Sequence, residues 1–403
     1  MIAAHLWVDL NVEMVFAHGG RPGGRYLRGV TIPKLFALLL ATPLLAGGVC
    51  KPTMFSGPAK LQDLHLPEGF SISLFAENVR TVRAMAYSPE GIVYAGSNDA
   101  GALYALPDRD HDGRADTVYT IAKGLTMPVG VAWHNGDLYF SAINRIGVLR
   151  DIDHHLADPP AAMTVTDSYP NERHHGWKFI GIGPDGKLYV PVGAPCNICL
   201  SEDSIFASIT RMNLDGTGRE IIAHGVRNSV GFDWDPRDSS LWFTENGRDW
   251  MGDDAPSCEL DHLGATGQHF GYPFCHQGDT LDPEFGAGRN CADYVRPVAK
   301  LGAHTAPLGM RFYRGHLFPE KYRGAIFIAE HGSWNRSKPV GYRVAVAFPK
   351  PDGTVEHEVF ADGWLKGSSA WGRPVDILEL PDGSLLVSDD AGDNIYRITY
   401  KAP

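Results

Sequence analysis

One unit recurs through this chain and constrains its fold more than any other feature. It is an apolar stretch of four to six residues, a tight turn drawn from Pro, Asp, Asn and Gly, then a second apolar stretch. It reads AMAYSPEGIVYAG from Ala84, GVAWHNGDLYFSA from Gly130, FIGIGPDGKLYVPVG from Phe179 and GFDWDPRDSSLWFTE from Gly231. It returns as GMRFYRG with YRGAIFIAEHG from Gly309, and as DILELPDGSLLVSDDAG from Asp376. Short alternating or apolar runs bounded by such turns are strand signals. Further strands follow several units, as in SITRMNLD, YRVAVAFPK and NIYRITY. Six similar hairpins, each extended by more strands, predict an all-β fold: a six-bladed β-propeller of four-stranded antiparallel blades. A pair of sandwiches would not repeat one hairpin six times. The 46 glycines and 28 prolines suit many short strands, and no long amphipathic period appears after Ala46. The uneven spacing places an insertion at about 247–299.

The N-terminal region reads separately. Arg25, Arg28 and Lys34 precede the apolar run Leu35–Ala46, and small residues follow, which is the pattern of a secretory signal over 1–48. The run is short for a membrane span. Asp9 and Glu13 do not suit a signal's basic start, which points to a true start beyond residue 20. A periplasmic or secreted propeller over 49–403 is expected. Cys50 stands where a lipoprotein signal would place its lipidated cysteine, although Val49 precedes it where a small residue is expected; a membrane enters only through that anchor. Six cysteines behind an export signal favour disulfides, Cys275–Cys291 foremost. The CNIC stretch, Cys196 to Cys199, lacks the βαβ context of a redox motif and the second pair of a zinc site.

With 36 basic against 47 acidic residues, nothing indicates a nucleic-acid partner. The turn prolines then act as a ruler. His175 lies nine residues before Pro184, Arg227 nine before Pro236, Arg80 nine before Pro89, and Arg373 eight before Pro381. The first strand of each blade lines a propeller's channel, so these four side chains are expected at one mouth. Loops after the second strands bring Asn246, His331, Trp334, Asn335 and Arg336 to the same face, where function usually sits. Clustered arginines in an acidic chain point to an anionic ligand. A histidine beside them can take a proton, and Trp334 can stack on a flat ring or a sugar. His174, one residue from His175 on an expected strand, should face the other way.

In HHGWKFIGIGPDGKLYVPVG, GVRNSVGFDWDP, WFTENGRD, AHTAPLGMRFY, HGSWNR and GRPVDILELPDGSLLVSDD, over about residues 66–400, the sequence resembles the glucose/sorbosone dehydrogenase family, above all its sorbosone-dehydrogenase-like branch. These are soluble six-bladed quinoproteins that use pyrroloquinoline quinone (PQQ) and calcium. The resemblance implies a dehydrogenase that oxidises a sugar or sugar-derived aldehyde to a lactone or acid, passing electrons to a cytochrome or quinone acceptor. It makes His175 the catalytic base, places Arg227 and Asn228 beside the quinone, and puts Asn246 where the glucose-oxidising branch has glutamine. Backbone carbonyls of Gly247 and Arg248 would hold calcium, although a proline is common at the latter position. Arg373 would meet a cofactor carboxylate. The family's second arginine falls on Val375, and its cofactor lysine has no counterpart unless Arg336 or Lys178 substitutes.

Two other patterns carry expectations. DRDHDGRAD has aspartates at calcium-loop spacing, Asp108, Asp110, Asp112 and Asp116, without the closing glutamate. Glu245, Asn246 and Asp390 leave open a calcium-dependent lactonase or esterase on the same architecture. A non-catalytic propeller that binds carbohydrate or protein is the third reading.

Overall fold

The computed structural model describes the strand Thr53–Met54 and residues 59–402. The expected signal segment and Cys50 lie outside the described residues. Six sheets carry the six repeats. The first blade holds Val82–Ser88, Ile92–Ser97, Leu103–Pro107 and Tyr119–Ala122; the second Val131–His134, Asp137–Ala142, Arg145–Leu149 and Met163–Thr166. The third holds Gly181–Ile182, Leu188–Val192, Ser208–Met212 and Glu220–His224; the fourth Phe232–Trp234, Leu241–Glu245, Ser257–Leu263 and Ala299–Ala303. The fifth holds Pro307–Phe312, Ile326–Glu330, Arg343–Pro349 and Val355–Ala361. In the sixth, Pro374–Glu379, Leu385–Asp389 and Asn394–Tyr400 take their outer partner from far upstream: Phe70–Ala76 pairs antiparallel with Asn394–Tyr400. Each of the six recurring units is the first two strands of one blade.

Apolar layers fill the wedges between blades, as where Tyr94 and Leu103 meet Val131 and Phe140. Near the axis the seams are also polar. Hydroxyls on second strands donate across to the next blade's first strand or the segment leading into it: Ser141 to Lys178 O at 2.8 Å, Thr244 to Leu308 O at 2.6 Å, Ser388 to Arg83 O at 2.8 Å. The inner strands run so close that a Cβ at Gly231 would lie 2.2 Å from Leu308 O. Glycine there is a packing requirement.

Part of 247–299 is regular blade, because Ser257–Leu263 is the third strand of blade four. The added chain is 264–298. It carries a small hairpin of Cys275–His276 and Thr280–Leu281, and the expected Cys275–Cys291 bridge closes it. Cys196 and Cys199 also bridge each other, so CNIC is a disulfide-closed loop; Cys258 is a buried free thiol.

Candidate active site

A cavity of about 400 Å³ opens at one end of the channel. His175, Arg227, Asn228, Asn246, Gly247 and Arg373 all line it, joined by His331 and Trp334. Arg80 does not. It is exposed, and its carbonyl accepts from the Tyr104 hydroxyl at 3.2 Å. Blade one sends Arg83 instead, from a first strand that slips against the second between Val82 and Met85, as the first strands of blades five and six also do. Counted from the turn proline, Arg83 lies six residues before Pro89, the place that Val375 holds before Pro381 in blade six, and the ruler looked two to three residues further upstream.

His175 sits on a turn, not a strand, with φ of +50°. A non-glycine residue in the left-handed region costs of order 1–3 kcal/mol and marks sites where geometry matters more than ease. Gly193 makes the room: a Cβ there would lie 2.5 Å from the His175 Cβ. Nδ1 of His175 lies 2.9 Å from Ala194 O. A carbonyl only accepts, so Nδ1 carries the hydrogen and Nε2 keeps its lone pair. Burial, reinforced by the charges of Arg227 and His174, holds this imidazole well below the usual 6.5. It is therefore neutral at physiological pH. Trp177 packs edge-on against it at 5.9 Å. His174 also lines the cavity, its ring 4.1 Å from that of His175; the alternation expected of a strand does not apply on a turn.

Arg227 is fully buried. Nε donates to Asn197 O at 2.8 Å, one terminal nitrogen to Asn197 Oδ1 at 2.8 Å and the other to Asn246 O at 2.9 Å. Asn197 lies inside the Cys196–Cys199 loop, so the disulfide ring grips the guanidinium. Its backbone N–H goes to Glu245 Oε1 at 2.7 Å. Across the cavity, Arg373 donates to the carbonyls of His331 at 2.8 Å and Gly332 at 2.7 Å. Asp390 accepts from Arg83 at 2.7 Å and lies 2.8 Å from His331 Nε2. The histidine and these two arginines hold its carboxyl far below the usual range.

The lining thus carries three guanidinium groups against two carboxylates, Asp249 and Asp390, in a chain of net charge −11. Arg83 Nε, Asn98 Oδ1 and Trp177 Nε1 line it and are buried without a partner. Buried polar atoms are rarely left so. An anion with several carboxylates to accept from Arg83 and Trp177 and a ring N–H to donate to the Asn98 oxygen, as PQQ has, fits this mixed set.

Other expected residues fall elsewhere. Arg336 turns outward, donating to Asp253 O and, at 3.0 Å, to Asp254 Oδ1. Lys178 is buried behind the His175 turn, donating to Ile143 O and Gly176 O, its pKa lowered by burial to about 8. Neither stands in for a cofactor lysine in the cavity. Val375 packs with Val230 and Leu308 as an apolar plug. Arg248 reaches away to Asp282 at 2.6 Å and Glu284 at 3.0 Å, so an ion pair, not a proline, fixes that loop. Asp108, Asp110 and Asp112 have carboxylate oxygens within 4.8 Å of one another, whereas Asp116 accepts from the Arg109 N–H instead. Glu245, Asn246 and Asp390 do not share one focus: Glu245 is engaged by Arg227 N–H, the Asn246 amide donates to Asn228 O and Pro307 O, and Asp390 lies between His331 and Arg83. Nothing in this arrangement favours the lactonase reading. The residues that sequence reasoning missed are Arg83, Asn98, Asp249 and His304.

A family model described as TrAA12-like matches residues 206–401. An uncharacterised protein of Borreliella burgdorferi is 34% identical over 356 residues, 84% of this chain and 91% of that protein. A Coprinopsis cinerea protein named pyrroloquinoline quinone-dependent pyranose dehydrogenase is 44% identical over 55 residues, 14% of this chain and 7% of that protein. Among solved structures, the holo PQQ domain of the C. cinerea pyranose dehydrogenase superposes with a TM-score of 0.73 at 19% identity, covering 87% of this chain and 99% of that one. A calcium structure of the Trichoderma reesei family AA12 enzyme gives 0.74 at 19%, over 84% and 97%. The PQQ-bound aldose sugar dehydrogenase of Streptomyces coelicolor gives 0.60 at 18%, over 84% and 100%. At these identities the structures speak to the fold.

Proposed function

We propose that this chain, which carries a TrAA12-like domain over residues 206–401 and resembles the glucose/sorbosone dehydrogenases, is a PQQ-dependent oxidoreductase of sugars or sugar-derived aldehydes. The observation that carries this reading is a buried, neutral His175, its Nε2 unprotonated, in a cavity that also holds three guanidinium groups. Arg83 and Arg373 would hold the cofactor's carboxylates, with Asn98 and Trp177 offering further polar contacts. PQQ, when bound, supplies the hydride acceptor. His175 removes the proton from the hydroxyl of a sugar hemiacetal or a hydrated aldehyde, and the left-handed turn keeps its ring where that hydroxyl must arrive. Arg227, gripped by Asn197, presents a fixed positive charge where negative charge grows during the transfer; such preorganised charge is worth several kcal/mol. Trp177 and the plug of Val230, Leu308 and Val375 keep bulk water from the channel side.

Calcium would be held by the carbonyls of Gly247 and Arg248, supplying a Lewis acid, and a second calcium by Asp108, Asp110 and Asp112. The product is a lactone or acid. Two electrons leave per sugar oxidised, so a cytochrome or quinone acceptor is required. The signal-like leader supports a periplasmic or secreted setting.

Purified protein incubated with calcium and PQQ, then titrated with aldoses and aldehydes in the presence of an artificial dye acceptor, tests the proposal. Binding of the cofactor and sugar-dependent bleaching of the dye are expected. No cofactor binding, or no reduction with any aldose or aldehyde, overturns it.

A further inference from the structure

Two tryptophans at the mouth of this cavity are left open to solvent. Trp334 lines the cavity and is 45% exposed; Trp250, next to the lining residue Asp249, is 59% exposed. Their rings meet edge to face, 5.4 Å apart and 85° between planes. They come from different loops, 246–256 and 331–342, and those loops are strapped together. Arg336 donates to Asp253 O and to Asp254 Oδ1, the Ser337 N–H donates to Asp253 Oδ1 at 3.0 Å, and the Ser337 hydroxyl reaches Asp253 Oδ2. His304 Nε2 lies 2.8 Å from Gly252 O and holds the same loop from below. Trp250 itself has φ of +69°, a strained conformation for a bulky residue. Several polar contacts and a strained backbone thus fix two large apolar rings in water, where hydrophobic collapse would cover them if it could.

The cavity's size says what would use them. About 400 Å³ is near the lower end of what one drug-sized ligand requires. A tricyclic cofactor therefore takes most of it, and a sugar must sit at the rim, reaching His175 with one end only. The next ring of a longer sugar would then lie over the tryptophans. An aromatic face is electron-rich and attracts the slightly positive C–H face of a pyranose, while Asp253, Asp254 and Arg336 beside it can meet hydroxyls. Two rings are far too small a patch for a protein interface, which needs roughly 800 Å² on each partner.

We propose that Trp250 and Trp334 form a stacking platform for the second sugar unit, so that the substrate is the end of an oligosaccharide in preference to a free monosaccharide. The proposal rests on the function proposed above, and its test separates the two. Reconstituted protein is assayed with cello-, malto- and xylo-oligosaccharides of one to four units, and the same sugars are titrated into apo-protein by tryptophan fluorescence. We expect KM to fall about tenfold from one unit to two or three, the scale of one good aromatic contact. In Trp250→Ala the ratio of monosaccharide to trisaccharide KM drops to near one, and Trp250→Phe keeps most of it. Oxidation of sugars with no gain in any series, or a gain that survives Trp250→Ala and Trp334→Ala, overturns the platform and leaves the oxidoreductase reading standing. Oligosaccharide binding to apo-protein that needs both tryptophans, without oxidation by the reconstituted protein, supports the platform and sinks the oxidoreductase. If the variants instead slow reduction of a c-type cytochrome and leave the chain-length gain intact, the patch is a protein-docking site and the platform is wrong.

Discussion

Of the four histidines that line the cavity, His175 and His331 are wired in opposite ways. His175, between blades two and three, hydrogen-bonds a backbone carbonyl and no carboxylate. His331, in the loop after the second strand of blade five, bonds the carboxylate of Asp390, which also carries Arg83. Both imidazoles are held below the usual range, His331 at about 4, mainly by burial. A carbonyl partner fixes the ring and its tautomer while leaving one nitrogen basic. A carboxylate partner takes up the ring's Nε2 and makes the histidine part of a charge network. The same residue type is thus left with a free basic nitrogen on one wall and tied into a carboxylate–arginine network on the other.

Exchange experiments break that comparison most sharply. His175→Ala should lower kcat roughly a hundred- to ten-thousand-fold, the span of a lost general base, with PQQ affinity measured by absorbance titration little changed. His331→Ala should do the reverse: kcat within about tenfold, and clearly weaker cofactor binding. If both variants lose turnover equally with intact binding, the division of labour fails. Asp390→Ala comes next. It strands Arg83 and His331 without their counter-charge, and breaking a buried pair from one side costs about 3–5 kcal/mol. Denaturant unfolding should show the loss, and Asp390→Asn should recover part of it.

The same contrast shows what the sequence made legible. The hairpin ruler located His175, Arg227 and Arg373 because each lies eight or nine residues before its turn proline. It missed Arg83 because that residue lies only six before Pro89, a place where blade six carries the apolar Val375. Asp249 sits in the loop that was expected at this face through Asn246, but nothing singled out its carboxylate; His304, just ahead of the first strand of blade five, had no place in the ruler. Arg336 and Lys178 were credited with cofactor contacts for their charge, yet charge says nothing of direction: one straps two surface loops, the other props a turn from behind. The six blades were readable since each repeats one local pattern; the borrowed strand Phe70–Ala76 was not, since its partner is more than 300 residues away.

A smaller effect is expected from Asn197→Ala, or from Cys196→Ser with Cys199→Ser, which loosens the grip on Arg227. Hydrogen bonds to a charged group contribute about 1.5–3 kcal/mol to stability, so denaturant unfolding should show a loss of that order, and kcat should fall roughly tenfold as the guanidinium loses its fixed aim. The His331 wall should be indifferent to this change, and PQQ affinity should hold. A drop in cofactor affinity as large as the drop in rate would mean that Arg227 anchors the cofactor in its ground state as well.

The subtlest test is pH, because the two walls should respond in different observables. Only neutral His175 can accept a proton, and its pKa lies below 6.5. The acid limb of kcat/KM therefore begins below 6.5, and mildly acidic buffers should leave turnover intact. Stability follows the carboxylates near the other wall. Asp376, on the first strand of blade six, is fully buried; Oδ2 accepts from Met85 N–H, Oδ1 has no partner, and burial raises its pKa to about 6. A carboxyl whose folded pKa exceeds its unfolded one gives stability that is complete below the ordinary carboxylate range and is lost as pH rises through the folded value. The melting temperature should therefore decline as pH rises from about 4 to about 6 and level off above that. Asp376→Asn should remove part of that slope, the rest coming from buried Asp389, also raised to about 6, without moving the acid limb of kcat/KM. A variant that shifted both together would show that the two walls titrate as one unit, and the separation drawn between them would not hold.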